Sequence, residues 1–234
     1  SDPQFAHDIA FHPTSANVVY LYSGSGSYKN VVRISTNGGN SFNSSAALNG
    51  NNNARLYLST SPAAPNHLYA ASNNYIYKSA NNGAFFLQLS NPDEACYGGF
   101  AVSDRNVDSM IYGYVDLFSS TDGGSSFTKK TRWSVQDEAY IHADLRAAKC
   151  VNGVFYVGTD GYLAKSEDNG NTWTTLNDGT AIREFYAVGL SQGDYNVNMA
   201  GSQDNGTSIL NSDGWIEWNG GDGMEALVHP LNTK

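Results

Sequence analysis

The segment Ser166–Trp173, which reads Ser-Glu-Asp-Asn-Gly-Asn-Thr-Trp, decides the fold because its pattern occurs four times in the 234-residue chain. The pattern is a serine, an Asp or Asn two residues later, a glycine two residues after that, and an aromatic residue three further on. The other copies are Ser35–Phe42, Ser79–Phe86 and Ser120–Phe127, with first residues 44, 41 and 46 positions apart. A fixed period of this length is typical of proteins built from repeated structural units.

A second series keeps the same period. A tyrosine inside a short apolar run recurs as Tyr20, Tyr69, Tyr112 and Tyr156, and Met199 follows 43 residues after the last of them. In this fifth unit the turn is shortened to Asn211–Trp215, which keeps the Asp, the Gly and the aromatic residue. The two series together indicate five copies of one unit.

Each unit reads as four short strands, called A to D, with polar turns between them. In the fourth unit we place strand A near His142–Ala148, B near Val154–Gly158, C near Tyr162–Ser166 and D near Thr172–Leu176. Four strands in roughly 44 residues is the length of a β-propeller blade. The sequence therefore predicts an all-β propeller of four-stranded antiparallel blades, at residues 6–48, 53–91, 96–134, 140–178 and 183–219, with a sixth beginning at 222–234. About five and a third blades at this period indicate a segment of a larger propeller.

Composition supports this prediction and restricts the partners. The chain has 24 Gly, 15 Tyr and 26 Asn, which favour turns and strands, and a net charge of −9. No basic run is present to follow a phosphate backbone, so nucleic acid is excluded as a partner. No apolar stretch approaches the ~18 to 20 residues that span a bilayer.

The repeated turns resemble the Asp-box, or BNR, repeat of sialidases, sortilin-type receptors and xyloglucan-hydrolysing propellers. The later segments look most like sortilin-like propellers of exported surface proteins in type IX-secreting bacteria: His142–Asp144, Gly158–Gly161, Glu184–Tyr186, Gly201–Gly206 and Gly220–Gly223. This resemblance implies a secreted or cell-surface protein. It also implies that the turns containing Asp122 and Asp168 are structural and lie on the face opposite the ligand site.

The face formed by the D–A connections and the B–C turns is the candidate binding face, and we call it the rim. In an antiparallel blade these two connections emerge on the same side. Its charged residues are predicted to be Asp8, Asp93, Glu94, Asp116, His142, Asp144, Asp160, Arg183, Glu184, Asp204 and Asp222. As ligand-binding residues we predict His142, Asp160, Glu184, Tyr186, Gln203, Asn205 and Asp222. Tyr97, Tyr140 and Tyr186 are candidate stacking platforms for sugars.

Two kinds of glycosidase chemistry would require different residues on this rim. A sialidase needs three arginines for the substrate carboxylate, but of six arginines only Arg183 clearly falls on the rim. A hydrolase of neutral glycans needs two opposed carboxyl groups about 5 to 9.5 Å apart. Asp144 and Asp204 are the pair predicted for that case, with Asp160 and Asp222 as the next candidates.

Metal and cysteine chemistry have weaker support. Rim carboxylates suit Ca²⁺, but no spaced D-x-D-x-D-G loop is present, and His142 with Asp144 lacks the companions of a transition-metal site. We therefore predict no cofactor, with Ca²⁺ as the alternative. The repeat places Cys96 at the start of one strand A and Cys150 at the far end of the next, so we predict two unpaired thiols.

The leading functional prediction is a non-catalytic propeller module that binds a glycan or a protein through its rim. The first alternative is a glycoside hydrolase acting on a neutral polysaccharide. The second is a rigid spacer or exported cargo domain without a ligand of its own. Further domains of the same polypeptide are also expected partners.

Overall fold

The computed structural model describes residues 5–25, 28–48, 56–72, 75–90, 92, 94–179 and 183–229. The chain divides into two compact units, residues 1–176 and 177–234. The described residues form four four-stranded antiparallel sheets in the first unit and a fifth in the second. We call these sheets blades 1 to 5 in chain order. The prediction of an all-β chain with four-stranded blades is confirmed.

In every blade the four strands are hydrogen-bonded in sequence order, A to D. Blade 1 contains β1 (Phe5–Phe11), β2 (Val19–Ser25), β3 (Tyr28–Ser35) and β4 (Asn43–Ala47). Blade 2 contains β5 (Leu56–Thr60), β6 (Leu68–Ser72), β7 (Tyr75–Ser79) and β8 (Leu87–Ser90). Blade 3 contains β9 (Gly99–Val102), β10 (Met110–Gly113), β11 (Leu117–Ser120) and β12 (Thr128–Lys129). Blade 4 contains β13 (Ala147–Val151), β14 (Val154–Gly158), β15 (Leu163–Ser166) and β16 (Thr174–Thr175). Blade 5 contains β17 (Ala187–Leu190), β18 (Asn198–Gly201), β19 (Thr207–Asn211) and β20 (Gly214–Asn219).

The first unit is held together by apolar layers between successive blades. One cluster lies between blades 1 and 2 around Tyr20 and Leu68, a second between blades 2 and 3 around Tyr69 and Met110, and a third between blades 3 and 4 around Phe155. Because blade 3 is covered on both sides, β9, β10 and β11 are buried along their whole length. The first strands contact one another in series, β1 with β5, β5 with β9, and β9 with β13.

The four repeated C–D turns share one hydrogen-bonding scheme. The buried serine Oγ accepts a hydrogen bond from the glycine N–H at 2.8–3.0 Å, as in Ser120 with Gly124, and donates to the Asp or Asn Oδ1 at 2.7–2.9 Å. That oxygen accepts a further backbone N–H four residues later. The aromatic residues Phe86, Phe127 and Trp173 pack into the layer shared with the preceding blade. The residues of these turns therefore stabilise the turns and the layers between the blades.

The structure corrects one strand position. Strand A of the fourth unit is Ala147–Val151, whereas the sequence suggested His142–Ala148. Ile141 and Leu145 are buried apolar residues, so their spacing resembles that of a strand, but both lie in a loop. The Leu145 N–H donates to the Tyr114 carbonyl at 2.7 Å, so this segment is tied to blade 3 before β13 begins. Strand D is likewise shorter than expected, at Thr174–Thr175.

The remaining sequence expectations have different outcomes. Both cysteines are free, and burial raises the pKa of the Cys96 thiol to about 12. Residues 222–229 form no strand, and residues 230–234 of the expected sixth unit lie outside the described residues. Within the ranges given above, no helix is long and apolar enough to cross a bilayer.

Candidate functional site

The rim of the first unit is formed by loops around blades 3 and 4. The connection from β12 to β13 carries His142 and Asp144, and the turn from β14 to β15 carries Asp160. Of the other predicted rim residues, Asp8 lies within β1, and Asp93 lies outside the described residues. The prediction of Asp8 as a rim residue is therefore wrong, because its carboxylate is turned to β5, where Oδ2 accepts the Leu58 N–H at 2.6 Å.

Arg146 is the centre of the rim in blade 4. Its Nε and Nη2 donate to the two oxygens of Asp160 at 2.6 and 2.7 Å, and Nη2 lies 3.6 Å from Asp144 Oδ2. The guanidinium holds the pKa of the Asp160 carboxyl below its ordinary value, and the hydrogen bonds to Asp160 raise the pKa of Arg146. Asp144 reaches this position in a left-handed backbone conformation, with φ 61°. The positive charge that a cation would supply between Asp144 and Asp160 is supplied here by Arg146.

His142 stands beside this ion pair. Its backbone N–H donates to Tyr162 Oη at 3.0 Å, and the two rings meet edge to face with centroids 6.2 Å apart. A Cβ atom at Gly161 would lie 2.5 Å from the His142 ring, so the glycine is needed for the imidazole to occupy its place. The B–C turn therefore fixes both the ring of His142 and the carboxylate of Asp160.

A second charged network lies on the blade 3 side of the rim. Lys129 Nζ is 2.6 Å from Glu94 Oε1 and 2.9 Å from Asp116 Oδ2, and hydrogen bonds to these carboxylates raise the Lys129 pKa. The buried Asp116 accepts the Trp133 N–H at 2.7 Å through its other oxygen. This network connects the end of β12 to the B–C turn and the following loop.

The second unit contains the other predicted residues. Tyr186 Oη donates to Gln203 Oε1 at 2.5 Å, and Asn205 Nδ2 donates to the Gln203 carbonyl at 3.1 Å. The Asp204 N–H donates to Asp222 Oδ1 at 3.1 Å, and Asp204 is left-handed with φ 58°. Tyr186, Gln203, Asp204 and Asp222 are exposed, as is Glu184. The structure thus brings together Asp144 with Asp160 in one unit and Asp204 with Asp222 in the other, while the pairing of Asp144 with Asp204 stays a prediction.

Sequence reasoning missed Arg146 as a rim residue. The predicted strand A begins five residues before β13, which puts Arg146 inside the strand and leaves Arg183 as the arginine clearly on the rim. The segment Gly158–Gly161 contained a signal that could have identified Arg146. An aspartate in the turn after strand B faces the residue that directly precedes strand A. Lys129 and Trp133 were missed because no spacing rule joins them to Asp116.

A cavity of about 420 Å³ lies among the first strands of blades 1 to 4. Its walls come from β1, β5, β9 and β13, and its polar lining includes Asp8, Thr60 and Lys149. Arg146 also lines it. The residue that pairs with Asp160 on the rim therefore stands at the junction of rim and cavity.

No protein-family model and no curated protein matches this sequence. Solved structures are similar to it. YCF48 bound to a D1 peptide is 11% identical, with a TM-score of 0.55, over 92% of this chain and 66% of that one. The GH74 xyloglucanase from Xanthomonas campestris is 17% identical, with a TM-score of 0.53, over 90% of this chain and 38% of that one. An ancestral GH74 enzyme is 18% identical, with a TM-score of 0.57, over 98% of this chain and 33% of that one.

The chain therefore spans about two thirds of YCF48 and about a third of the two GH74 enzymes. At these identities the likeness concerns the fold. Together with the five four-stranded sheets, it assigns the chain to the β-propeller class.

Proposed function

We propose that this chain is a non-catalytic propeller module of a secreted or cell-surface protein, which binds a glycan or a protein through its rim. The observation that carries the proposal is the two-point ion pair between Asp160 and Arg146, a residue that also lines the cavity between the first strands of blades 1 to 4. A rigid, charged and hydrogen-bonding group on loops held by a scaffold is typical of binding sites. YCF48 has been solved with a bound peptide, which supports binding as a use of this fold.

The charge state of Asp160 suits ligand binding and not the role of a general acid. A glycosidase needs a general acid, a carboxyl group whose pKa is raised so that it carries a proton near neutral pH. The pKa of Asp160 is lowered instead, because Arg146 stabilises its ionised form. Asp160 is therefore suited to accept hydrogen bonds from a ligand and not to donate a proton to a leaving group.

A glycoside hydrolase acting on a neutral polysaccharide is the second candidate, because the fold is similar to that of GH74 enzymes. In that case Asp144 and Asp204 would act as the acid and the base. Release of reducing sugar from a panel of β-glucans tests it. Activity lost in both Asp144→Asn and Asp204→Asn, with folding intact, would support the hydrolase. Absence of activity in the unmodified protein would eliminate it.

The binding proposal is tested with the double variant Arg146→Gln/Asp160→Asn, which removes the ion pairs that Arg146 makes with Asp160 and Asp144. The matched control is Lys165→Gln/Glu167→Gln, which removes an exposed pair at the C–D turn of the same blade, with Nζ and Oε1 2.7 Å apart. Glycan and peptide arrays supply the ligands. We expect the rim variant to weaken binding at least about tenfold and the control to leave it unchanged. No binding by the unmodified protein would favour the spacer or cargo alternative. Equal losses in the two variants would contradict the rim as the binding face.

A further inference from the structure

We infer that Tyr97, Tyr114 and Trp133 form a stacking platform for a neutral saccharide on the blade 3 side of the rim, an inference that rests on the proposed binding function. The three side chains are 39%, 37% and 61% exposed. By contrast, Tyr112 and Phe118 of the same blade are buried in the layer between blades 2 and 3. Exposed aromatic residues beside a polar network are typical of interaction sites.

The platform is held in place by contacts below it. Tyr97 and Tyr114 meet edge to face, with ring centroids 5.6 Å apart and planes at 80°, and the Tyr97 carbonyl accepts a hydrogen bond from Tyr57 Oη. The Tyr114 N–H donates to the Asp116 carbonyl at 3.1 Å, and the Tyr114 carbonyl accepts the Leu145 N–H. Both ends of this tyrosine's backbone are thus fixed, and little conformational entropy is lost when a ligand stacks on its ring.

Asp116 links the backbone of Trp133 to the B–C turn that follows Tyr114. Its Oδ1 accepts the Trp133 N–H at 2.7 Å, and its backbone is two residues from Tyr114. Trp133 is therefore anchored through its backbone while most of its indole faces solvent. Such an arrangement presents a flat apolar surface without burying it against the protein.

The charges around the platform select the ligand class. Lys129 lies between two carboxylates, Glu94 and Asp116, and Arg146 lies between Asp160 and Asp144, so each network has one more carboxylate than cation. The surface therefore carries a net negative charge, which disfavours an anionic ligand. A neutral sugar fits this surface, because its C–H face stacks on aromatic rings and its hydroxyl groups donate hydrogen bonds to the carboxylates. A basic peptide would have to compete with Lys129 and Arg146 for the same carboxylates.

The test measures binding of the full chain to soluble β-glucan and soluble β-mannan by affinity electrophoresis and calorimetry. Tyr97→Ala and Trp133→Ala each remove one ring, and Tyr97→Phe keeps the ring. Phe85→Ala is the matched control, because Phe85 is 63% exposed but belongs to a C–D turn. We expect each rim alanine variant to weaken binding about tenfold and the Phe and control variants to bind like the unmodified protein. Thermal unfolding verifies that all variants fold.

The outcomes separate this inference from the proposed function. Saccharide binding that survives both Tyr97→Ala and Trp133→Ala overturns the platform. A peptide that binds, and is lost in Arg146→Gln/Asp160→Asn while no saccharide binds, also overturns the platform but leaves the rim-binding function standing. Absence of any ligand on saccharide and peptide panels defeats both.

Discussion

Asp122 and Ser126 are joined by two hydrogen bonds across a C–D turn. The Ser126 N–H donates to Asp122 Oδ1 at 2.9 Å, and the Ser126 hydroxyl donates to Oδ2 at 2.6 Å. These bonds, with a third from Ser120 Oγ, hold the pKa of Asp122 at about 2. Asn37 occupies the same place in blade 1, where its Oδ1 accepts the Ser41 N–H and its Nδ2 donates to Ser41 Oγ.

The first prediction concerns the charge of this turn. Asn37 makes corresponding bonds without a charge, with donor and acceptor exchanged at the serine hydroxyl. Asp122→Asn is therefore expected to leave the free energy of unfolding at pH 7 nearly unchanged. Asp122→Ala, which loses the bonds, is expected to cost about 1 kcal/mol. The folded pKa is below the ordinary value of 3.8, so the ionised Asp122 stabilises the fold above about pH 4, and this contribution is lost as pH falls towards 2. Urea unfolding at pH 7, 4 and 3 measures both effects.

The Asn variant also serves as the control for that pH dependence. Its stability should fall less steeply than that of the unmodified protein between pH 4 and pH 3. Identical pH profiles for the two proteins would mean that the Asp122 carboxylate is not stabilised by the turn.

The second prediction separates backbone strain from crowding at equivalent glycines. Gly39 and Gly124 have φ angles of 91° and 89°, values that favour glycine. A Cβ at Gly39 would meet nothing within 4 Å, whereas one at Gly124 would lie 3.1 Å from Met110 Sδ and 3.2 Å from Leu89 Cδ1. Gly39→Ala is expected to cost about 1–2 kcal/mol from strain alone, and Gly124→Ala about 1–3 kcal/mol more. Equal losses in thermal unfolding would show that the layer between blades 2 and 3 adapts without cost.

The blades were predictable from sequence because the turn chemistry is local. A buried serine, an Asx residue and a left-handed glycine lie within five residues in the C–D turns of blades 1 to 4, so their spacing is the same in these four copies, as in Ser166–Gly170. The strands between such turns follow from the period. Strand A of blade 4 was misplaced because burial of Leu145 depends on a contact with blade 3, which no local pattern contains.

The rim was only partly predictable for the same reason. Asp160 and Asp144 were identified as rim residues because turns near strand ends must face one side. Identifying their shared partner Arg146 required the correct start of β13, and the predicted start was five residues too early. The joining of Glu94 to Lys129, 35 residues apart, arises from tertiary structure and has no counterpart in the sequence pattern.

The third prediction concerns the buried carboxylate of Asp116. It pairs with Lys129 and accepts the Trp133 N–H, so Asp116→Ala leaves a backbone donor without its acceptor and removes one partner of the lysine. We expect a loss of about 1–3 kcal/mol in urea unfolding. Glu167→Ala removes the exposed partner of Lys165 and is expected to cause no measurable change. Similar effects of the two substitutions would show that burial of Asp116 adds nothing to its ion pair.

The last prediction concerns Asp8, which lines the cavity among the first strands of blades 1 to 4. Burial raises the pKa of this carboxyl, although the N–H groups of Leu58 and Ile9 donate to it at 2.6 and 2.8 Å and oppose the shift. A raised folded pKa means that the contribution of Asp8 to stability is fully present below the ordinary carboxyl pKa and is lost as pH rises through the folded value. At pH 7 the ionised group therefore carries an unrecovered desolvation cost. Asp8→Asn keeps an acceptor for Leu58 without the charge, so it is expected to match or exceed the stability of the unmodified protein at pH 7 and to lose this advantage near pH 4.

Asp8→Ala leaves the Leu58 N–H unpaired and is expected to cost about 1–3 kcal/mol at both pH values. Urea unfolding of the three proteins at the two pH values decides the matter, and an Asn variant that is less stable at pH 7 than at pH 4, relative to the unmodified protein, would show that the hydrogen bonds outweigh burial.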